Sequence, residues 1–104
     1  MPVVLTNRWG ASTRDPSRDQ MLHALAELDR NDPEHPDCWL SDESGQTISA
    51  NQSGLVIWEN VEDPSSLPVH MRDVSREAVL ALWEELAQGR LDVIEGQAWK
   101  PGQR

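Results

Sequence analysis

Hydrophobic spacing changes period along the chain, and each change marks a boundary between elements. Residues 2–6, PVVLT, form a short β-branched run that predicts a first strand at a sheet edge. Asp15-Pro16 offers a helix N-cap followed by proline at the first helical position, where a missing N–H leaves nothing unsatisfied. Met21, Leu22, Leu25 and Leu28 then recur at helical spacing, with Arg18, Asp19, Glu27 and Asp29 elsewhere on the wheel. The pattern predicts an amphipathic helix over about 16–29. Asn31 to Asp37, NDPEHPD, carries prolines and carboxylates and reads as a loop.

From Cys38 the period falls to two residues. CWLSD, QTISANQ and LVIWEN are separated by Ser-Gly pairs of hairpin-turn composition, which predicts a three-strand antiparallel meander over 38–60. The four apolar residues Leu55 to Trp58 suggest that the third strand is central. Val61 to Pro68 is a loop and VHMR, 69–72, a further strand. Ser75 as N-cap, Glu77 in the first turn and Gly89 at the end frame a helix over about 76–88. Val79, Leu82, Trp83 and Leu86 make its apolar stripe, with Glu84 and Glu85 outward. Leu91, Val93 and Ile94 suggest a short strand or turn, and a frayed tail is expected beyond about Trp99. The expected architecture is a single α+β domain over 1–104, an antiparallel four- or five-stranded meander sheet with two main helices packed on one face.

Composition narrows the function classes. At 104 residues the chain has room for one modest core. Phe and Tyr are absent, so Trp9, Trp39, Trp58, Trp83 and Trp99 supply all aromatic burial. A net charge of -9 repels phosphate backbones and anionic lipid and favours a basic partner. The lone Cys38 and the absence of a signal-like start or long apolar run point to the cytoplasm, with no membrane and no intramolecular disulfide. His23, His35, His70 and Cys38 lack paired metal-ligand spacing, no serine lies in a nucleophile elbow and no glycine-rich phosphate loop occurs. No cofactor, metal or catalytic residue is expected.

The acids, by contrast, are grouped. Asp32, Glu34 and Asp37 share one loop, at one end of the meander. Asp42 and Glu43 tip the first hairpin, while Glu59, Glu62 and Asp63 end the third strand and begin the next loop. Two strand lengths separate those last two groups, so they fall at the same end of the sheet and form an acidic rim. Solvated charge is the commoner reason for such groups. If Leu40, Ile48, Ala50, Leu55, Ile57 and Met71 face the helices, then Trp39, Thr47, Ser49, Asn51, Val56, Trp58, His70 and Arg72 face away. That second set suits a protein interface with Trp39 and Trp58 as anchors, or a surface that Trp99 and its neighbours cover.

The order of elements, with WLSDESGQTISANQSGLVIWEN followed by a strand, VSREAVLALWEELAQGR and WKPG, resembles immunity proteins of bacterial polymorphic toxin systems. The first-named Imm family is the nearest likeness, and the resemblance covers about 38–102. It implies an α+β protein that binds a cognate basic toxin domain, a deaminase or nuclease, delivered by contact-dependent or type VI machinery, and occludes its active site in a 1:1 complex. The residues expected to meet the toxin come from charge and strand reading: Trp39, Asp42, Glu43, Trp58, Glu59, Glu62 and Asp63. The rival expectations are an acidic adaptor or nucleic-acid mimic acting on a basic host regulator, and, at lower weight, a small enzyme.

Overall fold

A computed structural model describes residues 2–101. The described chain is α+β: one antiparallel sheet carries a layer of helices on one face. In chain order the elements are β1 (Val3–Thr6), β2 (Ser12–Arg14), α1 (Arg18–Glu27), β3 (Asp37–Asp42), β4 (Gln46–Asn51), β5 (Val56–Asn60), β6 (Val69–Met71), α2 (Arg76–Ala87), α3 (Leu91–Glu95) and β7 (Lys100–Pro101). The strands lie side by side as β2-β1-β3-β4-β5-β6-β7. The expectation of four or five strands is therefore low, since β2 and β7 were not foreseen; α1 and α2 are the two main helices, to which the unforeseen α3 adds one short turn.

Several differences have local causes. PVVLT was expected at an edge, but β2 covers it, pairing Leu5 with Thr13, while its other side pairs with β3. The first helix begins at Arg18, capped by Ser17, whose hydroxyl accepts the Gln20 N–H while the Gln20 side chain accepts the Ser17 N–H. Asp15, the expected cap, instead ties down β1: its N–H donates to Val3 O at 2.7 Å and its carboxylate accepts from Val3 N at 3.1 Å. Residues 91–95 form a short helix whose Ile94 is fully buried, in place of a strand or turn. The chain beyond Trp99, expected to fray, pairs Lys100 with His70 and Pro101 with Val69; residues 102–104 lie outside the described residues.

α2 follows its local signals. Ser75 Oγ accepts the Ala78 N–H at 3.1 Å, and beyond the helix Gly89 adopts φ +74 as Arg90 N donates back to Glu85 O. Its stripe meets the sheet through Val79, Leu80, Trp83 and Leu86, against Leu5, Leu40, Ile48, Ala50 and Val56 in one continuous core. Trp83 is fully buried, and its indole N–H donates to Ile48 O at 3.0 Å, so no polar atom of the ring is left stranded. α1 joins this layer through Met21, Ala24, Leu25 and Leu28. Arg18 of α1 bridges to Glu84 of α2 at 2.7 Å.

Register decides which residues face the helices. Directly opposed residues in a ladder share a face. Leu5, Leu40, Ile48 and Trp58 are opposed in succession across β1, β3, β4 and β5, as are Cys38, Ala50 and Val56. β5 is thus inverted relative to expectation: Val56 and Trp58 face the helices and Ile57 faces away. The cause is the Gln52–Gly54 turn. Asn51 N donates to Leu55 O and Gly54 N to Asn51 O, with Gly54 at φ +92, so Leu55 closes the turn and Val56 is the first residue to pair within the sheet.

Candidate protein-interaction surface

The helices leave one face of the sheet uncovered by secondary structure. Across it the register sets Thr6, Trp39, Ser49, Ile57, His70 and Lys100 in one transverse row, and Val4, Ser41, Thr47 and Glu59 in the next. Trp39 stands near the middle of the first row and is 36% exposed. Its neighbours are short: Ser41 and Thr47 hydroxyls bond each other at 2.9 Å, which leaves the indole as the tallest side chain of the central strands. At one end, Asn51 Nδ2 donates to Asp37 at 2.7 Å.

At the other end the two acidic groups do meet. Gly45 O accepts Val61 N at 2.9 Å, and Gln46 pairs with Asn60, so the Asp42–Gly45 turn packs against the start of the 61–68 loop. Gly45 is required there twice over. Its φ is +93, and an added Cβ would stand 2.4 Å from Glu62 Cγ.

The candidate contact residues then divide. Glu43, Glu62 and Asp63 are exposed on this rim, and Glu59 is half-buried beside Thr47 on the open face. Asp63 is partly engaged: the Ser65 hydroxyl at 2.7 Å and Ser65 N–H at 3.0 Å hold its carboxyl below the ordinary carboxylate value. Asp42 is turned inward. Its Oδ1 accepts from Ser44 N, Ser44 Oγ and Gln46 N at 2.8 to 2.9 Å, and Oδ2 is buried with no hydrogen-bond donor among the described residues. The carboxylate builds the turn and does not extend the rim. Trp58 leaves the open face altogether. Its indole N–H donates to Gln46 Oε1 at 2.8 Å and its ring meets Trp99 at 5.6 Å in a tilted contact. Trp99 thus covers Trp58 on the helix side, while Trp39 stays partly exposed on the other.

Sequence reasoning missed Arg8. Only 4% exposed, its guanidinium donates to the carbonyls of Arg30 at 2.7 Å and His35 at 2.8 Å, to Glu27 O, and to Gln52 Oε1 at 3.1 Å. One cation therefore joins the end of α1, the 31–36 loop and the β4–β5 turn, using the last helix carbonyl, Glu27 O, which has no partner within the helix. Arg76 does similar work from α2, donating to Asn51 O and Gln52 O and pairing with Asp29. Neither residue carries a local signal, because every partner is distant in sequence.

The loop held by Arg8 is ordered around His35, whose ring lies 3.3 Å from Asp32 and 5.0 Å from the Trp9 ring centroid. Partial desolvation works to raise the Asp32 carboxyl, but the Glu34 N–H, the His35 ring and the charges of His35 and Arg8 outweigh it and hold it below its ordinary value. Cys38 is far from any such chemistry: it is fully buried, its Sγ faces Ala24 O, and burial pushes the thiol up to about 12. Among the described residues no three of His, Cys, Asp and Glu are grouped to hold a metal ion, and no helix is long and apolar enough to cross a membrane. Comparison of the chain with protein families, with curated proteins and with solved structures returned no match.

Proposed function

We propose that this chain is an immunity protein, a stoichiometric inhibitor that binds a basic, nucleic-acid-directed toxin domain in the cytoplasm and occludes its active site. One observation carries the reading. No Lys or Arg occurs between Arg30 and Arg72, while Asp32, Glu34, Asp37, Asp42, Glu43, Glu59, Glu62 and Asp63 do. That stretch supplies β3 to β6, the middle of a sheet whose far face bears exposed Trp39.

The physics favours a basic protein partner. With no cation of their own, β3 to β6 give a mainly negative potential over the central strands, which speeds encounter with a cationic surface and disfavours anionic ones. A nuclease or deaminase domain presents such a surface where its substrate backbone lies. Trp39 adds an anchor whose burial supplies affinity that screened charges alone do not. Glu43, Glu59, Glu62 and Asp63 supply the surrounding charge.

Co-expression with the basic product of the adjacent gene tests the proposal, with growth rescue and co-purification as readouts. Rescue and a 1:1 complex are expected. Trp39→Ala should weaken the complex by about 2 kcal/mol, a typical hot-spot loss. Reversing charge at Glu43, Glu59 and Glu62 should weaken it further and flatten its salt dependence. No complex and no rescue would sink the immunity reading. A complex with a basic regulator in the absence of any toxin would favour the acidic-adaptor alternative instead.

A further inference from the structure

We propose that the cleft between β6 and the C-terminal segment is a binding site for an organic carboxylate. The cleft has a volume of about 690 Å³, and Arg72 and Lys100 both line it. They are drawn there by pairing: Lys100 lies directly opposite His70 in the β6–β7 ladder, and Arg72 stands two residues beyond His70.

In a chain with eighteen acids and nine basic residues, cations are scarce and mostly used. Arg8 and Arg76 hold main-chain carbonyls, Arg18 pairs with Glu84, and Arg90 with Glu85. Arg72 and Lys100 are exposed, and neither has an ion-pair partner among the described residues. Two like charges collected at one cleft repel each other, and an anion between them reverses the sign of that interaction. A carboxylate matches the planar fork of an arginine with two parallel hydrogen bonds, and the lysine adds a third donor.

The remaining walls narrow the ligand class. Val74, Ala98 and Pro101 give the cleft an apolar side able to take a carbon frame. Asp73, also in the lining, is held at φ +57 while the next residue, Val74, donates its N–H to Gly54 O at 3.0 Å. A fixed negative charge at the rim is tolerated by a monoanionic carboxylate far better than by a dianionic phosphate. The carboxylate could belong to a free small acid or to a peptide terminus, and the recognising chemistry is the same. This site is independent of the toxin-binding proposal, since its readout needs no protein partner.

Amide chemical-shift titration of the full chain at constant ionic strength tests it, with sodium butyrate and an acetylated tripeptide bearing a free C-terminal carboxylate as probes. Saturable shifts confined to residues 70–74 and 98–100 are expected. The tighter probe identifies the source, and the amidated tripeptide should bind at least about tenfold more weakly than the free acid, the scale of a lost charge-assisted hydrogen bond. Replacing both cations, Arg72→Gln with Lys100→Gln, should weaken binding by at least about tenfold on the same ground. Asp73→Asn keeps a residue that accepts positive φ and should tighten binding by roughly threefold. Shifts that never saturate, an affinity unchanged in the double variant, or weaker binding by Asp73→Asn would each overturn the proposal.

Discussion

The two faces of the one sheet are built on the same backbone and do opposite things. On the helix side, Leu5, Leu40, Ile48 and Trp58 form a row facing the helix layer, and three of the four are almost fully buried. One residue along, Thr6, Trp39, Ser49 and Ile57 form a row that no helix covers. Apolar area removed from water stabilises the fold by roughly 25 cal/mol per Å², so the first row carries more stability than the second, where Thr6, Ser49 and Ile57 are only partly buried and Trp39 is exposed. A surface released from the demands of packing can be shaped for recognition. The inverted register of β5 makes the point sharply, since a shift of one residue would put Trp58 in place of Ile57 on the open face.

Mutations can break this contrast in graded steps. The largest effect should come from Trp83→Ala, which empties a fully buried site and removes the indole N–H bonded to the Ile48 carbonyl; a loss of about 3–5 kcal/mol is expected. The urea midpoint measures it, and a midpoint shift smaller than that of an exposed control would show that the helix layer is not where stability resides. Next, Arg8→Met should cost about 3 kcal/mol, because several buried carbonyls lose a charged donor at once. Hydrogen exchange at residues 28–36 should rise ahead of that in α2, and uniform protection would argue against a local clamp.

Gly45→Ala comes third. Strain at positive φ and the clash with Glu62 Cγ predict about 1–3 kcal/mol, with loss of order in the rim before the rest of the sheet. Smallest on the stability scale is Trp39→Ala, expected to cost about 1 kcal/mol since 36% of the residue is already exposed. That small cost beside a large loss of partner binding is the signature of a recognition face; the reverse pattern would make Trp39 a packing residue.

Alkaline pH tests the buried side in another way. Cys38 has its folded value raised by burial, so its contribution to stability is complete below about pH 9 and is lost as pH rises through about 12. The chain has no tyrosine and one lysine, so few other groups titrate there. Thiol reagents should leave the native protein unlabelled near neutral pH and label it on unfolding. Rapid native labelling would contradict the burial of Cys38.

How far the sequence could be read depends on how local the deciding interactions are. α2 was legible because Ser75, Glu77 and Gly89 act within a turn of the helix ends. Trp39 was placed on the correct face because Cys38 to Asp42 alternates cleanly. LVIWEN does not alternate, and its four apolar residues left the register to a turn whose geometry is not written in hydrophobicity. β2 has no apolar residue to announce it, and Leu91–Glu95 is too short to show a helical period. Asp42 did carry an overlooked signal: an aspartate opening D-E-S-G is well placed to accept the turn's own N–H groups. Arg8 was beyond reach, since its partners lie 19 to 44 residues away.

The cation-free stretch between Arg30 and Arg72 also governs how this protein can be cut and followed. Trypsin finds no cleavage site across β3 to β6, so complete digestion releases residues 31–72 as one long acidic peptide. That peptide carries Trp39, Trp58 and every residue of the rim, which makes a single mass-spectrometric species the reporter of crosslinks formed anywhere on the surface. Proteases specific for acidic residues cut the same region into short pieces. Protection against such an enzyme, compared with and without a partner, would map contacts along the very strands that trypsin passes over.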